Sequence, residues 1–337
     1  MSTVPAMVVP PQLPGYVVER LLGRGGMGDV WLARHQTLDR QVALKVVRGE
    51  YASDPAHVDR FLREARAAAK VNHPRVVTVH DAGQNNGALY LAMEFVPGGD
   101  LHGHLAGKPM PEVEAVRLLC AAAQGLQAIH DAGLVHRDIK PENLFLDPDG
   151  LPKIGDLGLP RSRAGDDRMT VTGQAVGTPA YMSPEQANGA ADIDARSDIY
   201  SLAATGFALL TGRPPFIGAT PWATVAQVIN DPAPDPRQCN PAISANVAIA
   251  LRAALAKAPA QRPVTAQAFA AMLTAPPGTV VLPPSPSRTA RAWWRWRPLQ
   301  AAAGMVVGVT VAGIIVASWG DSAPSAATAP ARTAPPA

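Results

Sequence analysis

The chain has 337 residues, length for about two domains of roughly 150 residues each. Hydrophobic residues make up 47%, enough for a large core, which excludes wholesale disorder. The net charge of +3 offers no basic face of the kind a nucleic-acid binder needs, so no nucleic-acid partner is expected. Two cysteines, Cys120 and Cys239, exclude a disulfide framework and a Cys-based zinc site.

Residues 1–14 carry Pro5, Pro10, Pro11 and Pro14 without a basic or long apolar region, so they read as a flexible tail and not a signal peptide. Tyr16–Leu22, Asp29–Arg34 and Gln41–Val47 are expected strands separated by Gly or polar turns. Asp54-Pro55 then sets an N-cap and a first-turn proline, and predicts a helix from Pro55 to about Val71. Val76–His80 and Ala88–Glu94 are expected to be further strands. From Gly98 the pattern turns helical. Helices are predicted over Pro111–Ala132, Ser197–Leu210, Pro221–Ile229, Ala245–Ala256 and Ala266–Leu273. A small β-rich region followed by a larger helical one predicts an α+β fold of two lobes, about 15–97 and 98–273.

Residues 274–298 form a linker containing Pro and Arg. Ala301–Trp319 then carries no charge. At ~1.5 Å per residue it is about 28 Å long, close to the ~30 Å hydrocarbon core of a bilayer. Arg288, Arg291, Arg295 and Arg297 precede it, and Trp293, Trp294, Trp296 and Trp319 flank it. That pattern predicts a single membrane span over 299–319, with residues 1–298 on the cytoplasmic side of the cell membrane and the arginines near anionic lipid. Residues 320–337 are an Ala/Pro/Ser/Thr tail, too short for a folded sensor. Gly304, Gly308 and Ala312 form a small-residue face suited to close helix pairing, hence to a homodimer.

The chemistry-bearing residues come in order. Gly23-Arg24-Gly25-Gly26-Met27-Gly28-Asp29-Val30 is G-x-G-x-x-G-x-V between two strands, where glycines let backbone amides approach phosphates. Val42-Ala43-Leu44-Lys45 puts a cation on the following strand, a point charge for phosphates. Glu64, on the next helix, supplies an anion to orient it. His136-Arg137-Asp138-Ile139-Lys140-Pro141-Glu142-Asn143 places a carboxylate for an attacking hydroxyl and an Asn oxygen for a metal. Asp156-Leu157-Gly158 adds a second metal-binding carboxylate, and Ser183-Pro184-Glu185 closes the segment.

This ordered set resembles the protein-kinase signature, in particular bacterial serine/threonine kinases of the eukaryotic type, over about residues 15–273. The resemblance implies the bilobal kinase fold, ATP and Mg2+ (with Mn2+ as an alternative), and protein substrates. It implies that Leu22, Gly23, Gly25, Gly28, Val30, Ala43, Met93, Glu94 and Val96 surround the nucleotide, with Met93 as gatekeeper and Glu94–Val96 as hinge. Lys45 would contact the α- and β-phosphates and pair with Glu64 in the active state, Asp138 would accept the hydroxyl proton, and Lys140 would stabilise the transferring phosphoryl group. Asn143 and Asp156 would hold magnesium. Asp100 is expected at the ribose or as a cap. Glu185 would pair with Arg262, and Asp198 would support the catalytic loop. Lys140-Pro141-Glu142 and Gly177-Thr178-Pro179 fit Ser/Thr specificity. Thr170 and Thr172 are expected autophosphorylation sites whose phosphate would meet Arg137. One departure stands out: Ala68, four residues after Glu64, where the family often has a larger apolar residue.

Overall fold

The computed structural model describes residues 10–25, 28–47, 54–157 and 179–276. Six elements build the upper lobe: β1 (Tyr16–Arg24), β2 (Gly28–His35), β3 (Arg40–Val47), α1 (Pro55–Ala68), β4 (Val79–Asn85) and β5 (Ala88–Glu94). The strands form one antiparallel sheet in the order β1-β2-β3-β5-β4. Asn86-Gly87 closes the β4–β5 hairpin with φ of 48° and 75°, the left-handed pair that a tight two-residue turn requires.

The period of two divides the sheet into two faces. Leu89, Leu91 and Met93 pack with Phe61 and Ala65 of α1, and Ala43 and Val47 lean on that cluster. Val42, Leu44 and Ala92 face the other way, with Trp31, Tyr16 and Leu13. Leu13 is buried and Tyr16 N donates to its carbonyl at 3.2 Å. The loose tail expected through residue 14 is therefore corrected at its end: Leu13 covers the outer sheet face because Trp31 and Tyr16 otherwise present apolar surface to water.

Helix α1 starts as expected, with Asp54 accepting from Ala56 N and Pro55 in the first turn. It stops at Ala68, three residues before the predicted end. The fourth strand is also shifted. It runs Val79–Asn85, not Val76–His80. Val76 instead makes a lone bridge to Ile154, and Val77 N donates to Ile154 O at 2.8 Å. Their apolar side chains are spent on the junction with the other lobe.

The lower lobe is helical: α2 (Leu101–Leu105), α3 (Glu112–Asp131), α4 (Pro184–Ala187), α5 (Ala195–Thr211), α6 (Pro221–Asn230), α7 (Ala245–Ala254) and α8 (Ala266–Thr274). Most starts are fixed by an oxygen cap, from Asp100, Ser183, Asp194, Thr220, Ser244 and Thr265, which satisfies backbone donors that a first turn leaves open. Helix α5 is buried from Ser197 to Leu210 and forms the centre of the core, with Leu126 and Ile129 of α3, Leu251 of α7 and Phe269 of α8 around it. A short hairpin, β6 (Leu144–Leu146) with β7 (Pro152–Ile154), lies under the upper lobe. The two-lobed α+β architecture is thus the expected one. Among the described residues no helix is long and apolar enough to cross a membrane; the span expected over 299–319, the rest of the linker and the 320–337 tail lie outside the described residues.

Candidate active site

Cross-strand pairing assembles the roof of a cleft. Val30 pairs with Lys45 and Lys45 with Leu91, while Ala43 pairs with Met93. Paired residues share a sheet face, so Val30, Ala43, Lys45 and Met93 stand on the side that faces α1 and the lower lobe. Gly25 N donates to Gly28 O at 2.8 Å, tightening the loop between β1 and β2. A side chain at Gly28 would collide with the Val46 carbonyl, so this glycine is required by close backbone approach. Leu22 and Gly23 lie at the end of β1, where the register to β2 shifts. Met93 is buried and, with Ala68, Val77, Val79, Leu91, Asp156 and Leu157, lines a small cavity behind it.

The floor is the loop His136–Asn143, held from below. Asp198 of α5 is fully buried. Its carboxylate accepts from His136 N at 2.8 Å and Arg137 N at 2.7 Å, and His130 Nε2 lies 2.9 Å away. The His136 ring lies 2.9 Å from Gly155 O, just before Asp156. Arg137 takes a φ of 66° and Asp156 one of 53°, left-handed values that cost about 1–3 kcal/mol each and persist where surroundings impose them. Asp198 supplies that imposition at Arg137, as expected of it.

Asp138 stands in a fixed cage. Asn143 Nδ2 donates to its Oδ2 at 2.9 Å and to its carbonyl at 2.7 Å, and Lys140 Nζ lies 3.1 Å from Oδ2. Gly155 N donates to Asn143 O at 2.9 Å, joining the Asn143 and Asp156 segments. With its amide nitrogen committed to Asp138, Asn143 has its side-chain oxygen as the metal-facing atom. That oxygen and the Asp156 carboxylate are hard donors of the type magnesium takes, with phosphate oxygens and water completing its sphere. Among the described residues, no cluster of three or more His, Cys, Asp or Glu side chains gathers as a metal site.

Lys45 Nζ pairs with Asp156 Oδ1 at 2.6 Å, a different partner from the Glu64 expected of the active state. Burial alone would push the Asp156 carboxyl up, but the Lys45 ammonium outweighs it and holds the group below the usual carboxylate range.

The Glu185–Arg262 pair forms as expected, bidentate at 2.6 and 2.8 Å, with Arg262 also donating to the carbonyls of Arg196, Ala256 and Lys257. Asp100 serves as the cap of α2, accepting from Gly103 N at 2.8 Å. Three contacts were not expected from the sequence. Gln186 Nε2 donates to Arg137 O at 2.7 Å. Arg75 pairs with Asp147 at 2.6 Å. Lys153 pairs with the hinge residue Glu94. Only the four-residue helix after Ser183-Pro184 hinted at the first, because its capping box with Gln186 fixes that side chain. Thr170, Thr172, Gly158 and Thr178 lie outside the described residues.

The protein kinase domain profile matches residues 16–273. The chain is 42% identical over 268 residues to the serine/threonine-protein kinase PknB of Mycobacterium leprae, covering 77% of this chain and 43% of that protein. It is 41% identical over 271 residues to the serine/threonine-protein kinase pkn3 of Myxococcus xanthus, covering 77% of this chain and 49% of the relative. The chain thus spans less than half the length of these curated relatives. The crystal structure of the Mycobacterium tuberculosis PknI kinase domain superposes with a TM-score of 0.64 at 32% identity, over 80% of this chain and 98% of that one.

Proposed function

The chain belongs to the protein kinase family, and on that premise we propose that it is a membrane-anchored serine/threonine protein kinase acting in signal transduction. It transfers the γ-phosphate of ATP to protein hydroxyls and switches itself on by phosphorylating its own activation loop. The observation that carries this reading is the Asp138 cage: a carboxylate held by Asn143 and Lys140 on a loop braced by Asp198.

Each residue has one task. The glycines of the β1–β2 loop bring backbone amides to the phosphates, and Lys45 meets them as a point charge. Asp138, held in place by Asn143 and Lys140, orients the substrate hydroxyl with its carboxylate and takes its proton. The hydroxyl oxygen bonds to the γ-phosphorus as the bond to the β-phosphate bridging oxygen breaks, and ADP leaves. Lys140 offsets the charge on the moving phosphoryl group. Asn143 and Asp156 would hold magnesium, which neutralises phosphate charge in a loose transition state. Lys45, once released from Asp156, can turn to Glu64.

Loop phosphorylation at Thr170 or Thr172 is supported by Arg137, whose buried Nε has no hydrogen-bond partner. A buried guanidinium donor in that condition favours an incoming phosphate. Membrane anchoring rests on the uncharged, Trp- and Arg-flanked stretch 299–319. The test is to incubate the full chain in lipid vesicles with ATP and magnesium, beside Asp138→Asn, and map phosphosites by mass spectrometry. Phosphate on Thr170 or Thr172 in the unaltered chain alone is the expected result; an active chain with neither modified sinks the self-activation. A chain that stays in the soluble fraction after flotation sinks the anchor.

A further inference from the structure

The upper and lower lobes are joined by the linker after β5 and by three ion pairs, Lys45–Asp156, Arg75–Asp147 and, at the start of the linker itself, Glu94–Lys153. Glu94 ends β5 and Lys153 stands in the middle of β7. Lys153 Nζ pairs with Glu94 Oε1, while Thr78 N donates to Glu94 Oε2 at 3.2 Å. The Glu94 carboxylate is thus held by both lobes. The side chains are 14% and 29% exposed, so solvent screens this pair less than a surface one.

The other end of the linker is pinned as well. Leu146 N donates to Gly99 O at 2.8 Å, and Asp100 bridges Phe145. A side chain at Gly98 would collide with the Leu146 carbonyl. Between these anchors lie the backbone groups of Glu94–Val96. Three residues after Lys153 comes Asp156, on the same segment. One lysine therefore ties the start of the linker to the strand that delivers the Asp156 carboxylate.

We propose that the Glu94–Lys153 pair is an interlobe latch, and that Lys153 is a positioning residue for nucleotide binding. This rests on the kinase reading above, because it gives the Glu94–Val96 backbone the task of receiving adenine. Lys153 touches no reacting atom. It fixes where the linker backbone stands relative to Asp156, so that one nucleotide meets both at once. Without it the linker start is held from the upper lobe alone, and binding must restore the geometry at the expense of affinity.

The test measures binding of a fluorescent ADP analogue to the full chain, with kinase turnover and melting temperature followed in parallel. Lys153→Met is expected to weaken binding and raise the KM for ATP about 5- to 10-fold, with kcat changed less than about 2-fold, as expected where a charge-assisted contact acts on binding and not on the chemical step. Lys153→Arg should restore most of the affinity. In a Glu94→Gln background, Lys153→Met should cost nothing further, since coupled residues are non-additive. Unchanged affinity in Lys153→Met overturns the latch. So does equal loss in both backgrounds, or a lower melting temperature with unchanged KM. If the chain binds nucleotide but transfers no phosphate, the kinase reading fails while the binding cycle still decides the latch. If it binds none, both fall.

Discussion

The two halves of the site are built to different standards. The lower half is braced at every step: Asp198 holds two backbone amides of the catalytic loop, Asn143 and Lys140 fix Asp138, and Gln186 fastens Arg137 from the far side. The upper half has its parts present but in another pairing, with Lys45 on Asp156 and a cavity beside Ala68. On the proposed kinase reading, Asp138 stands ready before substrate arrives, and Lys45 does not. Control over activity belongs where a small free-energy change can move an element, and that is the upper half, around α1.

The largest test of this contrast is Asp138→Asn. It preserves the cage in shape and should lower phosphoryl transfer by about 10²–10⁴-fold with nucleotide affinity kept, read by radiolabelled transfer and by titration. Next is Arg262→Met, which leaves Glu185 as an unpaired buried charge. Breaking such a pair costs about 3–5 kcal/mol, measurable by urea denaturation; a loss below 1 kcal/mol would mean that the lower half is less braced than its contacts imply. Asp198→Asn puts an amide beside two backbone donors and should cost about 1.5–3 kcal/mol, with slower transfer and little change in KM for ATP.

The upper half gives smaller effects. Ala68→Val adds two methyl groups toward the cavity and should raise stability by up to about 1 kcal/mol, with higher activity before loop phosphorylation. A destabilised variant would mean that the cavity cannot take them and that α1 is already close-packed. The smallest effect is in pH. Burial lowers the Lys257 ammonium from 10.5 to about 8, partly offset by Asp231. Between those values the unfolded chain holds more protons at this group, so its contribution to stability rises with pH from about 8 to 10.5 and is flat below. Melting temperatures of the unaltered chain and Lys257→Met, compared across that range, should show the slope only in the former.

Much of this was legible in the sequence where the signal is local. Asp54-Pro55, Thr265 and Ser244 mark helix starts because a cap is decided by neighbours in the chain. The Asp138, Asn143 and Asp198 arrangement could be expected from the family resemblance. What could not be read is pairing across distance. Lys45 takes the Asp156 carboxylate, 111 residues away in the chain, and no local pattern around Lys45 could reveal that partner. Val76 and Val77 look like a strand, since apolar pairs read alike whether they pack in a sheet or at a lobe junction. Leu13 looked like tail because nothing near it in sequence reveals the bare Trp31 face.

Gly125 carries a mechanical consequence. It lies in α3, and any side chain there would collide with the Arg75 carbonyl. The segment before β4 is thereby seated on the lower lobe, and the Arg75–Asp147 pair and the Val77–Ile154 bond keep it there. The upper lobe is therefore seated on the lower one through this segment as well as through the linker, with the Lys45–Asp156 pair as a further contact. Met93 lines its cavity together with Val77, two residues past Arg75 on that same seat, so whatever loosens the seat is felt at once in the wall beside Met93.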